Sequence, residues 1–183
     1  ALGVVVRRHY DFNGNLTRKE GPLPAQVESY TYDFMNRLIR FEEKIGSLSL
    51  STHYGYDLCG NRTYQIDRMG NKTSYEYNYL NQRTKTTLPD GAALRSEYDI
   101  FGNLITEWDG EGHKTVRSYT SSNKVYREVF ADGSEEKYTY DLKGRLVQKI
   151  HKNGLITRYE RDSLGRVLSV TDEFQGKVLS KTS

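Results

Sequence analysis

The chain has 183 residues and 27 Lys plus Arg against 24 Asp plus Glu, a net charge of +3. Its 15 Tyr supply much of the 36% apolar set, which excludes a large aliphatic core, while 12% aromatic content excludes a solvated disordered tail. The single Cys59 excludes an internal disulfide framework and any multi-Cys zinc site, and no run of 18 apolar residues is available to span a membrane.

The chain opens on Ala1-Leu2-Gly3-Val4-Val5-Val6, which lacks an initiator Met and is too short for a signal peptide. It reads as the first strand of a chain cut from something longer. A repeat then takes over. Its register residues are Tyr10, Tyr32, Tyr56, Tyr77, Tyr98, Tyr119, Tyr140 and Arg161, spaced by 21 to 24 residues. The next residue is Asp11, Asp33, Asp57, Asn78, Asp99, Thr120, Asp141 or Asp162. Four positions after the register stand Gly14, Asn36, Gly60, Asn81, Gly102, Asn123, Gly144 and Gly165. Gly and Asn best tolerate positive φ, so each marks a turn.

A second turn falls fourteen residues after the register, at Gly46, Gly70, Gly91, Gly112, Gly133 and Gly154. Asp90-Gly91, Asp132-Gly133 and Asn153-Gly154 are strong hairpin signals. The first unit departs with Gly21-Pro22-Leu23-Pro24, and the last slips to Gln175-Gly176. Segments of about seven to nine residues separate the turns, a strand length. Tyrosines spaced by two, as in Tyr30/Tyr32, Tyr54/Tyr56, Tyr75/Tyr77 and Tyr138/Tyr140, share one strand face. After the first turn Leu16, Leu38, Leu104, Val125, Leu146 and Val167 recur, with Arg62 and Arg83 in the middle units. The fold class that follows is all-β. It is a repetitive antiparallel β-hairpin ribbon of about sixteen strands, curling into part of a spiral shell or barrel because strands twist. Residues 1–183 form a single array of about eight repeats, each touching chiefly its neighbours, and a fragment of a larger shell.

The units Tyr138-Thr139-Tyr140-Asp141-Leu142-Lys143-Gly144-Arg145-Leu146 and Arg161-Asp162-Ser163-Leu164-Gly165-Arg166-Val167 resemble the tyrosine-aspartate (YD) repeat of the Rhs family. That family includes polymorphic toxins, wall-associated proteins, B/C components of insecticidal toxin complexes, and teneurins. Tyr30-Thr31-Tyr32-Asp33, Tyr54-Gly55-Tyr56-Asp57 and Asp99-Ile100-Phe101-Gly102-Asn103-Leu104 are further copies, and the unit at Tyr119 is degenerate. The resemblance covers about Tyr10 to Gly176. It implies a β-sheet spiralling into a hollow shell, which in the toxins encloses a C-terminal toxic domain and in teneurins serves adhesion. It also implies a structural role for Tyr32, Asp33, Tyr56, Asp57, Gly60, Tyr77, Tyr98, Asp99, Gly102, Tyr140, Asp141, Gly144, Arg145, Asp162, Gly165 and Arg166. Asp-Pro occurs nowhere in this chain, so the family's self-cleaving step does not carry over.

The residues favour no catalytic, cofactor or metal site. Asp33 and Arg37, Asp141 and Arg145, and Asp162 and Arg166 flank turns, and repetition favours turn chemistry over an acid–base pair. His9, His53, His113 and His151 fit no metal spacing. Arg7-Arg8-His9-Tyr10 mixes charge with an aromatic ring, but no basic block is sustained, so no nucleic acid is expected. Rows of exposed Tyr beside Asp and Asn would suit sugar rings if the rings were not consumed in packing. The expected function is therefore a non-enzymatic segment of a YD-repeat shell that encapsulates a toxin or other cargo, secreted or at the cell surface. Its partners would be the remainder of the shell protein and the enclosed domain. The alternative is a cell-surface adhesion or carbohydrate-binding module that meets a receptor or glycan. A hydrolase near the degenerate Tyr119 unit is a third, weaker reading.

Overall fold

The computed structural model describes residues 5–21 and 26–182. Leu23, Pro24 and the rest of 22–25, with Val4 and the residues before it, lie outside the described residues. The chain is all-β: its seventeen described strands pair antiparallel with sequence neighbours, and no helix occurs among the described residues.

The chain divides into two compact units, Ala1–Ala92 and Ala93–Ser183. The first holds β1 (Arg7–Tyr10), β2 (Leu16–Glu20), β3 (Gln26–Tyr32), β4 (Leu38–Ile45), β5 (Leu48–Tyr56), β6 (Arg62–Ile66), β7 (Lys72–Tyr77) and β8 (Arg83–Thr87). The second holds β9 (Ala93–Tyr98), β10 (Leu104–Trp108), β11 (Lys114–Tyr119), β12 (Val125–Val129), β13 (Glu135–Tyr140), β14 (Leu146–Ile150), β15 (Ile156–Arg161), β16 (Val167–Phe174) and β17 (Lys177–Thr182). Within each unit, strands touch only the strands before and after them, so each unit is one layer thick. Val5 and Val6 precede β1 and are not in a strand, so the first strand begins at Arg7 rather than in the valine run. The chain's last described strand is β17, beyond the Gln175-Gly176 turn.

Apart from Gly21, every Gly or Asn that marks a predicted turn among the described residues has positive φ. Asn36, Asn81 and Asn123 lie at 61°, 61° and 56°, and Gly60 and Gly165 at 90° and 95°. Most turns of both kinds share one geometry. In the first, Asn36 N–H donates to Asp33 O and Asp33 N–H to Arg37 O; in the second, Gly91 N–H donates to Leu88 O and Leu88 N–H to Ala92 O. That is a type I turn closed by one left-handed residue. Two turns differ. Ile45 pairs with Leu48 around Gly46-Ser47, and Phe174 with Lys177 around Gln175-Gly176, where both central residues have positive φ.

The register tyrosines from Tyr32 to Tyr140 are all half-buried, none is fully buried, and Tyr10 is exposed. No large hydrophobic side chain is buried among the described residues; Thr52, Thr86, Thr106, Thr157 and Ser169 are. A one-layer sheet leaves both faces wet. Only short side chains, overhung by longer neighbours, lose their water.

Candidate functional site

The register tyrosine stands at a β-bulge. Thr31 pairs with Arg40 but Tyr32 with Leu38, so Ile39 is an extra residue. The same slip follows the Tyr-Asp turn in each hairpin, for example Thr139 with Gln148 but Tyr140 with Leu146. A bulge interrupts the ladder, and the main-chain groups beside it need other partners. The next hairpin supplies one. Tyr32 donates its hydroxyl to Leu16 O at 3.0 Å, Tyr56 to Leu38 O at 3.0 Å and Tyr77 to Arg62 O at 3.0 Å. Tyr119 donates to Leu104 O at 2.8 Å and Tyr140 to Val125 O at 2.7 Å. In the last unit Arg161 replaces the tyrosine, and its guanidinium reaches Leu146 O at 3.4 Å. The acceptor is main chain, which is why Arg62 is tolerated where other units carry Leu or Val.

The aspartates are turn ligands. Asp33 accepts from Met35 N, Arg37 N and Arg37 Nε at 2.8–3.0 Å. Asp141 does the same with Lys143 N, Arg145 N and Arg145 Nε at 2.7–2.9 Å, and Asp162 takes Arg166 N and Nε. Asp57 and Asp99 hold Asn61 and Asn103 in place of Arg. These bonds depress the carboxyls below their usual 3.8: Arg145's N–H leads at Asp141, the Asn61 amide at Asp57 and the Arg166 side chain at Asp162.

The residue five after the register also reaches the following turn, a link that sequence alone does not show. Asn15, Asn61 and Asn103 donate Nδ2–H to the Oδ1 of Asn36, Asn81 and Asn123 at 2.8–3.0 Å. Arg37 donates to Asp57 O at 2.8 Å. In two units the long residue lies close against the next turn's glycine, whose positive φ already favours that residue type. A Cβ on Gly144 would stand 2.7 Å from Lys124 Cε, and one on Gly165 would stand 2.7 Å from Arg145 Nη1. Gly55 has a different reason: a Cβ there would meet the Tyr64 ring at 2.1 Å, so the ring lies over the glycine. Its signal was a lone Gly inside a strand.

The tyrosine rings are covered as well as bonded. Arg37 lies 4.8 Å from the Tyr56 ring centroid, Arg62 4.9 Å from Tyr54, Lys149 5.3 Å from Tyr138 and Lys124 5.5 Å from Tyr140. Ten such cation–ring contacts occur among the described residues, where about two or three are usual for this length. Tyr30 donates to Glu28 at 2.5 Å; burial first, and that bond second, push its phenol up to about 12.

On the second unit's tyrosine face the ionisable groups run together. Arg117 bridges Glu107 and Glu128 at 3.1 and 2.7 Å, Tyr138 donates to Glu136 at 2.7 Å, and Lys149 pairs with Glu136 at 2.8 Å. His151 Nε2 lies 3.0 Å from Thr157 Oγ1, with Glu136 3.9 Å from its Nδ1. This hydroxyl–imidazole–carboxylate line superficially matches a nucleophile with its base. Two features weigh against that role. Thr157 is 7% exposed, and its hydroxyl proton goes to Asp172 at 2.7 Å rather than to His151. Near Tyr119 the Thr120 hydroxyl lies 3.1 Å from Ser122 Oγ and accepts from Lys124 N, again as turn chemistry. Among the described residues no group of three His, Cys, Asp or Glu is placed to hold a metal, and no helix is long and apolar enough to cross a membrane.

A sequence-family description, teneurin YD-shell, matches residues 5–178. None of the curated proteins matches by sequence. Among solved structures the chain is similar to the TcdB2-TccC3 complex, with TM-score 0.79 and 16% identity, covering 96% of this chain and 11% of that one. A TcdB2-TccC3-TEV structure gives TM-score 0.78, 15% identity and 96% against 10% coverage. A Photorhabdus luminescens Tc holotoxin pore gives TM-score 0.70, 16% identity and 96% against 10% coverage. The chain thus spans about a tenth of the length of these structures, and shares their local fold.

Proposed function

The chain belongs to the teneurin YD-shell family, and we propose that it serves as a length of wall that encloses a cargo, such as a toxin domain, for delivery outside the cell. It is a structural shell segment. Its partners on this reading are the rest of the same shell and the enclosed domain. Its mechanism is confinement rather than catalysis: the wall withholds the cargo from solvent and proteases until release.

The observation that carries this reading is the tyrosine staple. Tyr32, Tyr56, Tyr77, Tyr119 and Tyr140 spend their hydroxyls on the carbonyl of the preceding hairpin. Asp33, Asp57, Asp99, Asp141 and Asp162 spend their carboxylates on their own turns. Tyr98, Gly60, Gly102, Gly144, Gly165, Arg145 and Arg166 fill the matching places in the repeat, and we assign them the same structural role. A sugar-binding module needs free ring faces, and here cations cover many of them, which favours the shell over the adhesin.

The test uses the longer protein that carries this array. Proteinase K should leave a protected cargo fragment inside the intact protein. Tyr32→Ala, Tyr56→Ala and Tyr140→Ala together should expose it to cleavage. Cargo that is digested equally fast in the unaltered protein sinks the proposal.

A further inference from the structure

Three places in the first unit read Asn-X-Thr: Asn15-Leu16-Thr17, Asn61-Arg62-Thr63 and Asn71-Lys72-Thr73. This is the acceptor pattern for an N-linked glycan, a bulky polar group that belongs on the surface of an exported protein. The pattern alone decides nothing in this repeat. Each Asn closes a turn on its Asp, and each Thr stands in the strand that follows, where β-branched residues are favoured. The three differ in what each amide nitrogen has left to give.

An Asn side-chain amide carries two hydrogens. Asn15 Nδ2 spends both, on Asp11 Oδ2 at 2.9 Å and on Asn36 Oδ1 at 2.8 Å. Asn61 Nδ2 also spends both, on Asp57 Oδ2 at 2.9 Å and on Asn81 Oδ1 at 2.8 Å. Both of these asparagines are half-buried. Asn71 is exposed, and its Nδ2 donates once, to Asp67 Oδ2 at 2.9 Å; its second hydrogen has no acceptor among the described residues. The sequence gives the reason. Asn81 stands twenty residues after Asn61, whereas Gly91 stands twenty after Asn71 and has no side chain to accept. A glycosylated amide keeps one hydrogen. At Asn71 that hydrogen still serves Asp67, and the sugar takes the place of the one that faces no partner. At Asn15 or Asn61 the sugar would displace a bond that holds a turn or ties it to the next.

We propose that Asn71 is an N-glycan acceptor and that Asn15 and Asn61 are not. The proposal rests on the reading that this wall is delivered outside the cell. The donor is an oligosaccharide carried on a polyprenyl diphosphate. Asn71 Nδ2 bonds to C1 of the first sugar, the C1–O bond to the diphosphate breaks, and the lipid diphosphate leaves with the amide proton. The glycan then stands beside Arg68, Met69 and Lys72, which are all exposed.

The longer protein that carries this array, expressed behind a secretion leader in a eukaryotic cell, tests the site. N-glycosidase leaves an aspartate wherever a glycan stood, and peptide mass mapping should find that mark at Asn71 and at neither Asn15 nor Asn61. Thr73→Ser should keep the glycan. Thr73→Val should lose it while leaving a β-branched residue in the strand and the Asn71–Asp67 bond in place. Mapping both the secreted and the luminal protein ensures that poor secretion hides nothing. An unmodified Asn71 in both pools overturns the proposal, and so does a glycan on Asn15 or Asn61 in the secreted protein. Failure of the wall reading looks different: cargo digested in a protein glycosylated at Asn71 sinks the wall and leaves the acceptor, while an unmodified Asn71 around protected cargo does the reverse.

Discussion

At the scale of single residues, a phenol supplies here what a phenyl ring cannot. Tyr and Phe cover the same strand face, but only Tyr offers a donor to the carbonyl beside the preceding bulge. Tyr56→Phe keeps the ring under Arg37 and removes only the bond to Leu38 O. A lost hydrogen bond of this kind costs about 1 kcal/mol. Urea denaturation should therefore show Tyr56→Phe less stable by about 1 kcal/mol, and Tyr56→Ala less stable than that. Equal stability of Phe and Tyr at this position would mean that water replaces the staple at no cost. Two glycines separate conformational need from space. Gly60 has φ +90° with nothing near a would-be Cβ, so Gly60→Ala should cost about 1–2 kcal/mol through backbone strain alone. Gly55 lacks positive φ but lies under the Tyr64 ring. Gly55→Ala should be rescued in part by Tyr64→Ala, whereas no second substitution rescues Gly60→Ala. A double-mutant cycle without coupling at Gly55 would show that the ring moves aside freely.

At the scale of the hairpin, charge and turn shape are one device. The turn aspartates stay ionised because N–H donors converge on them, and their carboxyls are lowered from 3.8. Glu28 and Glu136 are likewise below 4.5. The Lys19 and Tyr30 bonds lower Glu28; at Glu136 burial opposes the shift, but the Lys149 and Tyr138 bonds outweigh it. A carboxyl lowered in the folded state lends stability that is complete above its unfolded value and lost as pH falls through the folded one. Melting temperature should therefore begin to fall only below about pH 4.5, and continue falling below 3.8 as each turn loses its anion. Far-UV melts from about pH 7 to 2 measure this, and a fall centred on about pH 6 would implicate histidine instead. The turns themselves were legible in the sequence, because Gly and Asn every 21 to 24 residues report a backbone requirement directly. The contacts between turns were not. Asn15, Asn61 and Asn103 precede turns with Asn36, Asn81 and Asn123, while Lys124 and Arg145 precede Gly144 and Gly165. That pairing follows from reach: a short amide needs a side chain to meet, whereas a long cation such as Arg37 reaches the main chain of the next turn itself. It spans some 20 residues, and only the folded ribbon shows that those residues touch. Sequence spacing shows which residues share a face, but not whether anything covers that face.

At the scale of the whole molecule, the chain holds its shape without a hydrophobic core among its described residues. Its buried side chains are Thr52, Thr86, Thr106, Thr157 and Ser169. Stability must then come from neighbour-to-neighbour terms: ladder hydrogen bonds, tyrosine staples, cations over rings and turn-to-turn bonds. When each hairpin touches only the adjacent ones, unfolding behaves as a one-dimensional chain of coupled units rather than one all-or-none event. The outermost strands are the least buried: every described side chain of β1 and β17 is exposed. The chain contains one tryptophan, Trp108, at the end of β10 with Lys114 over its ring. Its fluorescence reports that one hairpin, whereas far-UV ellipticity averages over all strands. In urea the two signals should have different midpoints, with ellipticity beginning to fall first as the terminal strands separate, and Trp108 responding later. Hydrogen exchange should agree, with least protection in β1 and β17 and more in β10 to β15. Coincident transitions by both probes, with uniform protection along the chain, would show that coupling between adjacent hairpins is strong enough for the ribbon to unfold as one unit, and that its ends do not separate first.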